Sequence, residues 1–375
     1  MDEKKKVPKL RFKGFTDDWE QRKWKEIMLV NSGRDYKHLN EGKIPVYGTG
    51  GYMLSVDKSL SNIDAIGIGR KGTIDKPQYL SAPFWTVDTL FFMTPLKRTN
   101  LKFLYALSQN INWKKYDEST GLPSLSKTTI NNIVVKLPHN NEQNKIGKLI
   151  SQIDNLLILQ QRKLKQLILF KKGILQRIFK SSSVTQDILR LKEDSIQWKK
   201  ERLRDIAKFL NGRAFKQKEL LAKGKYPVVR VGNFYTNDKW YYSNLLLEDN
   251  KYLDKGDLLY TWSATFGPHI WTGNKAIFHY HIWKIDFDKK QINKVFLYYF
   301  LEADKTQLLA NTNGSTMIHM TKSDMENKVI YLPPVSIQTE LGQMLSKLDN
   351  QIQRRKLKIK LLTELKQFLL QNMFI

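Results

Sequence analysis

Residues 137–157 read LPHNNEQNKIGKLISQIDNLL, and residues 332–352 read LPPVSIQTELGQMLSKLDNQI. Leu137-Pro138, Gln143 and Asp154-Asn155 return as Leu332-Pro333, Gln338 and Asp349-Asn350, all at an offset of 195. The offset holds without a gap to the end, bringing Gln176 onto Gln371 and Phe179 onto Phe374. Between 144 and 179, 11 of 36 positions are identical to their counterparts. One unit is used twice.

Within the repeat, residues 146, 150, 153, 157, 160, 164, 167, 171, 174 and 178 keep the alternating spacing of a coiled-coil seam. They are Ile, Ile, Ile, Leu, Gln, Leu, Leu, Lys, Ile and Ile; their counterparts are Leu, Leu, Leu, Ile, Arg, Ile, Leu, Lys, Leu and Met. The polar interruptions fall at the same two places in both copies. Neither segment holds a proline, so each is expected to form one helix about 55 Å long. That exceeds the ~30–35 Å width of a domain of about 130 residues. Two such helices most simply bury their stripes against each other. The expected interface comprises Ile153, Leu157, Leu164 and Leu167 on one helix and Leu348, Ile352, Ile359 and Leu362 on the other. Leu156, Leu159, Ile168, Leu175 and Phe179 widen the stripe and read as a docking surface for other subunits.

Working outward, Trp19 with RKWKEIM matches Trp198 with ERLRDIA at an offset of 179, as Gly33-Arg34 matches Gly212-Arg213. The second copy therefore carries 16 extra residues between the Gly-Arg and Leu-Pro landmarks. The expected division is a first domain over 1–140, a helix over 141–180, a linker over 181–197, a second domain over 198–335 and a helix over 336–375. Each front opens with β-like runs: IPVYGTGGY (44–52), DAIGIGR (64–70) and PFWTVDTLFFM (83–93), then YPVVRVGNFY (226–235), DLLYTWSATF (257–266) and KAIFHYHIWKIDF (275–287). One helical pattern follows (101–113; 293–310), then a glycine-containing loop, a short helix capped by Ser126 or Thr321, and a last strand ending at Leu-Pro. The fold class is α+β: two globular domains in tandem, each followed by a long helix, the helices packing as an antiparallel coiled coil.

The chain has 63 Lys and Arg against 36 Asp and Glu, a net charge of +27, which points to a polyanionic partner with nucleic acid first. The absence of cysteine excludes disulfides and thiolate metal sites and fits a reducing compartment. No apolar run reaches the ~18–20 residues of a membrane span, and MDEKKKVPKL lacks the apolar stretch of a signal peptide. GIGRKG at 67–72 matches a dinucleotide-binding pattern, but Thr-Ile-Asp-Lys-Pro follows where a helix would have to start. No phosphate loop is present. Leu332-Pro-Pro-Val335 lacks the amide and the aromatic that handle a flipped adenine. His279 and His281 share a strand face without a third metal ligand at useful spacing. No nucleophile–base pair emerges, and the chain reads as non-catalytic.

What the fronts offer is basic, hydroxylic and aromatic side chains at glycine-rich loops. In the first these are Tyr47, Thr49, Gly50 and Tyr52, then Arg70, Lys71 and Thr73, then Ser119, Thr120 and Lys127. In the second they are Arg230, Asn233 and Tyr235, then Thr261, Trp262, Ser263, Thr265 and His269, then Ser315, Thr316 and Lys322. Arg and Lys address guanine or phosphate, Asn addresses adenine, and glycines let backbone N–H groups approach phosphates. Two rival readings stay open on these residues: a coiled-coil nucleic-acid adaptor, and a nuclease or methyltransferase with a degenerate site.

Three stretches, FTDDWEQRKW (15–24), IPVYGTGGYM (44–53) and LPHNNEQNKIGKLISQIDNLL with its second copy, resemble the specificity subunit of type I restriction–modification enzymes. The resemblance covers essentially the whole chain. It implies target-recognition domains that read a bipartite, asymmetric duplex site, and antiparallel helices that bind two modification subunits. Those subunits would carry S-adenosylmethionine and methylate adenine. Restriction (motor-nuclease) subunits would bring ATP and Mg, and this chain would hold no cofactor or metal, in a cytoplasmic complex. Recognition domains differ between members, so no contact residue is carried over.

Overall fold

The computed structural model describes residues 7–96, 99–179, 198–235, 237–263, 265–311 and 320–375. The first front contains β1 (Glu20–Lys23), β2 (Met28–Ser32), β3 (Glu41–Gly48), β4 (Gly51–Val56), β5 (Ala65–Gly69), β6 (Gln78–Leu80), β7 (Trp85–Thr86), β8 (Leu90–Pro95) and β9 (Val134–Leu137). Its helices are α1 (Leu101–Asn110) and α2 (Lys127–Asn132), and the long α3 (Asn140–Phe179) follows. The second front contains β10 (Lys199–Arg202), β11 (Ala207–Asn211), β12 (Tyr226–Val229), β13 (Tyr241–Ser243), β14 (Tyr252–Leu253), β15 (Leu258–Thr261), β16 (Gly267–Ile270), β17 (Ala276–Phe278), β18 (Ile282–Phe287) and β19 (Val329–Leu332). Besides the single helical turn Leu203–Ile206, its helices are α4 (Lys294–Asn311) and α5 (Lys322–Glu326), followed by the long α6 (Val335–Asn372).

Both fronts have one topology. A four-stranded sheet runs β2-β8-β5-β6 in the first and β11-β18-β15-β16 in the second. A second sheet runs β4-β3-β7 in the first and β13-β12-β17-β14 in the second, with β3–β7 and β12–β17 parallel. A ribbon then closes each front: β1 pairs with β9, placing Glu20 opposite Leu137, and β10 pairs with β19, placing Lys199 opposite Leu332. The 16 extra residues of the second copy thus fall inside one closed ribbon, where α4 has 18 residues against ten in α1 and β14 is added.

The landmarks shared by both copies are joints. A Cβ on Gly33 would sit 1.9 Å from the carbonyl oxygen of Val87, and one on Gly212 2.4 Å from that of Phe278, so each Gly-Arg passes hard against a neighbouring strand. The Gln143 amide accepts from the backbone N–H of Asn100 and donates to the carbonyl of Pro138; Gln338 does the same with Asn293 and Pro333. Asn100 and Asn293 in turn accept from the first turns of α1 and α4, at Phe103 and Val295. Ser126 and Thr321 cap α2 and α5 by accepting from the N–H groups of Thr129 and Asp324.

The chain divides into two compact units: residues 1–162 with 356–375, which join two separate stretches of the sequence, and the continuous residues 163–355. In the first, Ile146, Ile150 and Ile153 of α3 join the core built by Trp19, Phe103 and Leu104, and the end of α6 joins it through Leu369, Leu370, Met373 and Phe374. Phe374 stacks on Phe103 at 5.4 Å, with Trp19 edge-on to both rings. In the second, Phe179 at the end of α3 lies 5.1 Å from Phe296, and Trp198 packs on the same cluster. This corrects two residues of the expected docking surface. Leu175 is buried against Tyr299, Ala303 and Leu345, and Phe179 reaches the recognition domain beyond the helix seam. The stripe also begins by packing on its own front, and only then meets the other helix.

Within each unit the long helices run antiparallel, and the second polar interruption marks the register. Asp154 meets Lys366 at 2.5 Å in the first unit. In the second, Lys171 meets Asp349 at 2.7 Å and Glu302 at 2.9 Å. Lys366 and Asp349 are the repeat counterparts of Lys171 and Asp154. Of the expected seam, Ile153, Leu348 and Ile352 are buried, and Leu157, Leu164, Leu167, Ile359 and Leu362 are half-buried. The linker 181–197 lies outside the described residues.

Candidate nucleic-acid interface

In the first front, the β5–β6 turn and the loop before α2 are stitched together. Leu125 donates its backbone N–H to Arg70, and Gly72 donates to Pro123. Arg70, Lys71, Ser119, Thr120 and Lys127 thereby share one surface, with Arg70, Lys71, Thr120 and Lys127 exposed. Ser119 is not free: its hydroxyl donates to Asp117, whose carboxylate also accepts from Ser124 and is held below its ordinary pKa by those bonds. Tyr47 and Tyr52 flank the β3–β4 turn with rings 6.5 Å apart, and Gln78 donates to the carbonyls of Gly48 and Thr49, tying that turn to β6. Tyr52 is 63% exposed. No helix follows GIGRKG; β5 turns directly toward β6, so no phosphate cradle forms there.

The second front has a different chemistry. The Tyr235 hydroxyl is within 3.2 Å of Thr261 Oγ1, the Phe266 carbonyl and His269 Nε2. His269 stacks on Phe234 at 4.2 Å, and burial together with the nearby Lys305 charge pushes its pKa down to about 4, so it is neutral at pH 7. Thr261 is fully buried and acts from behind, donating to the Gly267 carbonyl. The Asn233 amide accepts from the Arg230 N–H and donates to the carbonyls of Asn237 and Lys239, which leaves nothing to address a base. Arg230 lies 4.3 Å over the Tyr241 ring with its Nε buried and without a partner. Trp262 stacks on Trp283 and meets His281 edge-on, its N–H donating to the Tyr280 carbonyl. His279 beside His281 is also pushed down to about 4, mainly by burial and then by the neighbouring imidazole and Arg230. Ser263 is half-buried and Thr265 exposed at the β15–β16 turn; Lys322 is exposed and 3.5 Å from Glu326. Ser315 and Thr316 lie outside the described residues.

Against this geometry, the family model described as type I restriction modification DNA specificity domain matches residues 16–169 and again 195–364. The chain belongs to the type I restriction–modification specificity family. The MjaVIII specificity subunit of Methanocaldococcus jannaschii is 26% identical over 319 residues, covering 78% of this chain and 71% of the relative. The MjaIX specificity subunit of the same organism is 25% identical over 408 residues, covering 94% of this chain and 92% of the relative. The crystal structure of a type I restriction–modification S subunit from M. genitalium shares the fold, with a TM-score of 0.71 over 98% of this chain and 99% of that one at 16% identity.

As a type I specificity chain it is DNA-binding, and its fronts are target-recognition domains. No helix among the described residues is long and apolar enough to cross a membrane. Lys305, on α4, has no signal in the sequence, because it sits within a helical pattern rather than at a glycine-rich loop. His279 and His281, which the sequence places on one strand face without a third metal ligand, lie beside Arg230 and Trp262 instead.

Proposed function

We propose that this specificity subunit reads a bipartite, asymmetric site on duplex DNA, one half per recognition domain, and directs adenine methylation and restriction by partner subunits. The observation that carries this is two domains that share one strand order, apart from the added β14, and whose loops present different chemistry. Exposed Arg and Lys at Arg70–Lys71 dominate one, whereas neutral imidazoles and aromatic rings around Tyr235 and Trp262 dominate the other. Two different surfaces on one frame suit two different half-sites, as in dimeric readers whose half-sites mirror the protein's repeat.

The chain itself is non-catalytic and binds no cofactor or metal. Two modification subunits supply S-adenosylmethionine, restriction subunits supply ATP and Mg, and the complex works in the cytoplasm. Phe170, Leu361, Leu365 and Phe368 on the long helices are exposed apolar side chains suited to covering by the modification subunits. Co-expression with the modification subunits of its own system, followed by sequencing for N6-methyladenine, tests the reading. A motif of two unlike halves around unspecified bases is expected. Methylation that does not depend on this chain, or a single uninterrupted motif, would refute it.

A further inference from the structure

Lys305 stands on the part of α4 that has no counterpart in the first front. Taking Asn293 onto Asn100, it aligns with position 112, beyond the end of α1 at Asn110. It is half-buried, and among the described residues no carboxylate lies within ion-pair distance of it. Other covered lysines of this unit have partners: Lys171 is paired with Glu302 and Asp349, Lys284 with Asp257 and Lys328 with Asp304, while Lys251 and Lys294 donate to the backbone carbonyls of Asn211 and Gly256. Glu302, one helical turn away, is taken by Lys171 through both oxygens at 2.9 Å.

The surroundings are built to hold this cation in place. Gly267 has φ +148, and a Cβ there would stand 3.0 Å from Lys305 Nζ and 3.2 Å from its Cδ, so glycine makes the room the side chain occupies. Nζ lies 5.9 Å from the centre of the Tyr235 ring, which cannot swing away because its hydroxyl is tied to Thr261, Phe266 and His269. His269, the nearest imidazole, is neutral and adds no competing charge. The adjoining β15–β16 turn offers the hydroxyls of Ser263 and Thr265. An ammonium packed over glycine and an aromatic ring, without an ion pair among the described residues and with the Glu302 carboxylate committed to Lys171, fits a phosphodiester.

We propose that Lys305 is a backbone-phosphate contact of the second recognition domain, held by Gly267 and Tyr235. The proposal rests on the reading of the chain as a duplex-DNA binder. A phosphate contact positions the domain without reading sequence, and each one adds about 0.9 to the slope of log affinity against log salt.

The test uses the full chain with its modification subunits, and measures binding to a duplex with the methylated motif and to an unrelated duplex over a salt series. Lys305→Met should weaken both about fivefold to tenfold near 0.1 M salt and lower the slope by about 0.9, with the motif unchanged. Lys305→Arg should restore the slope, and Gly267→Ala, which displaces the lysine, should reproduce the Met variant. A slope unchanged in Lys305→Met, or a loss confined to the motif duplex, would overturn the assignment. Absence of duplex binding by the wild-type complex would instead refute the underlying reading.

Discussion

Asn233 and Arg70 were both selected from sequence for their hydrogen-bonding groups, and the fold sends them opposite ways. The Asn233 amide holds its own loop closed, whereas Arg70 is exposed with its guanidinium 5.8 Å above Phe91. Residue type is legible in a sequence; whether the polar atoms turn inward is decided by neighbours far along the chain. Thr261 and Ser119 offer hydroxyls in the sequence and turn them inward for the same reason, and helical periodicity hides a charge such as that of Lys305. Asn233→Ala should therefore destabilise its loop by about 1–2 kcal/mol, measured by thermal melting and local hydrogen exchange. Arg70→Ala with Lys71→Ala should leave the melting temperature alone and reduce the salt slope of duplex binding by up to about 2. His269 and His279, both near 4 when folded against 6.5 for an ordinary imidazole, set a pH dependence. Between pH 6.5 and about 4 the unfolded chain binds protons that the folded chain does not, so stability falls as pH drops through that window. Hydrogen exchange in the second domain should quicken from pH 7 to pH 5 after correction for intrinsic rates, and His269→Asn should blunt the change.

At the scale of the element, the seam pattern announces two long helices without revealing where their ends go. Lys171 and Lys366 appear in the heptads as defects. In the folded chain they are the matched halves of a key, because Asp349 and Asp154 meet them only when the helices run antiparallel in one register. The partner of Lys171 lies 178 positions away, which no periodicity reports. Reversing one pair, Lys366→Asp, should destabilise the first unit, and adding Asp154→Lys should recover about 1–2 kcal/mol in a double-mutant cycle. Leu345→Glu places a charge where the side chain is fully buried against Leu175 and Tyr299, and should unfold the second unit. Phe170→Glu, at a position 61% exposed, should leave folding intact and weaken association with the modification subunits. Equal effects of these two substitutions on melting would contradict the placement of the seam.

For the whole molecule, the repeat was legible because identity clusters where the copies must fit: the Gly-Arg crossing, the Gln-to-Asn joint and the terminal phenylalanines. The division into units was not, since linear order does not say that each helix ends on the domain it does not follow. Loops between the landmarks are free to diverge, and under the proposed function that divergence would carry the difference between the two half-sites. Four residues inserted into both α3 and α6, one helical turn of ~6 Å, should lengthen the unspecified spacer and keep both half-sites. If one chain carries two independent readers, exchange of residues 198–335 for the corresponding segment of another specificity subunit changes one half of the motif alone. Sequencing for N6-methyladenine should find one half-site replaced, with the other half-site kept. A motif altered in both halves together, or one continuous motif, would contradict two independent readers.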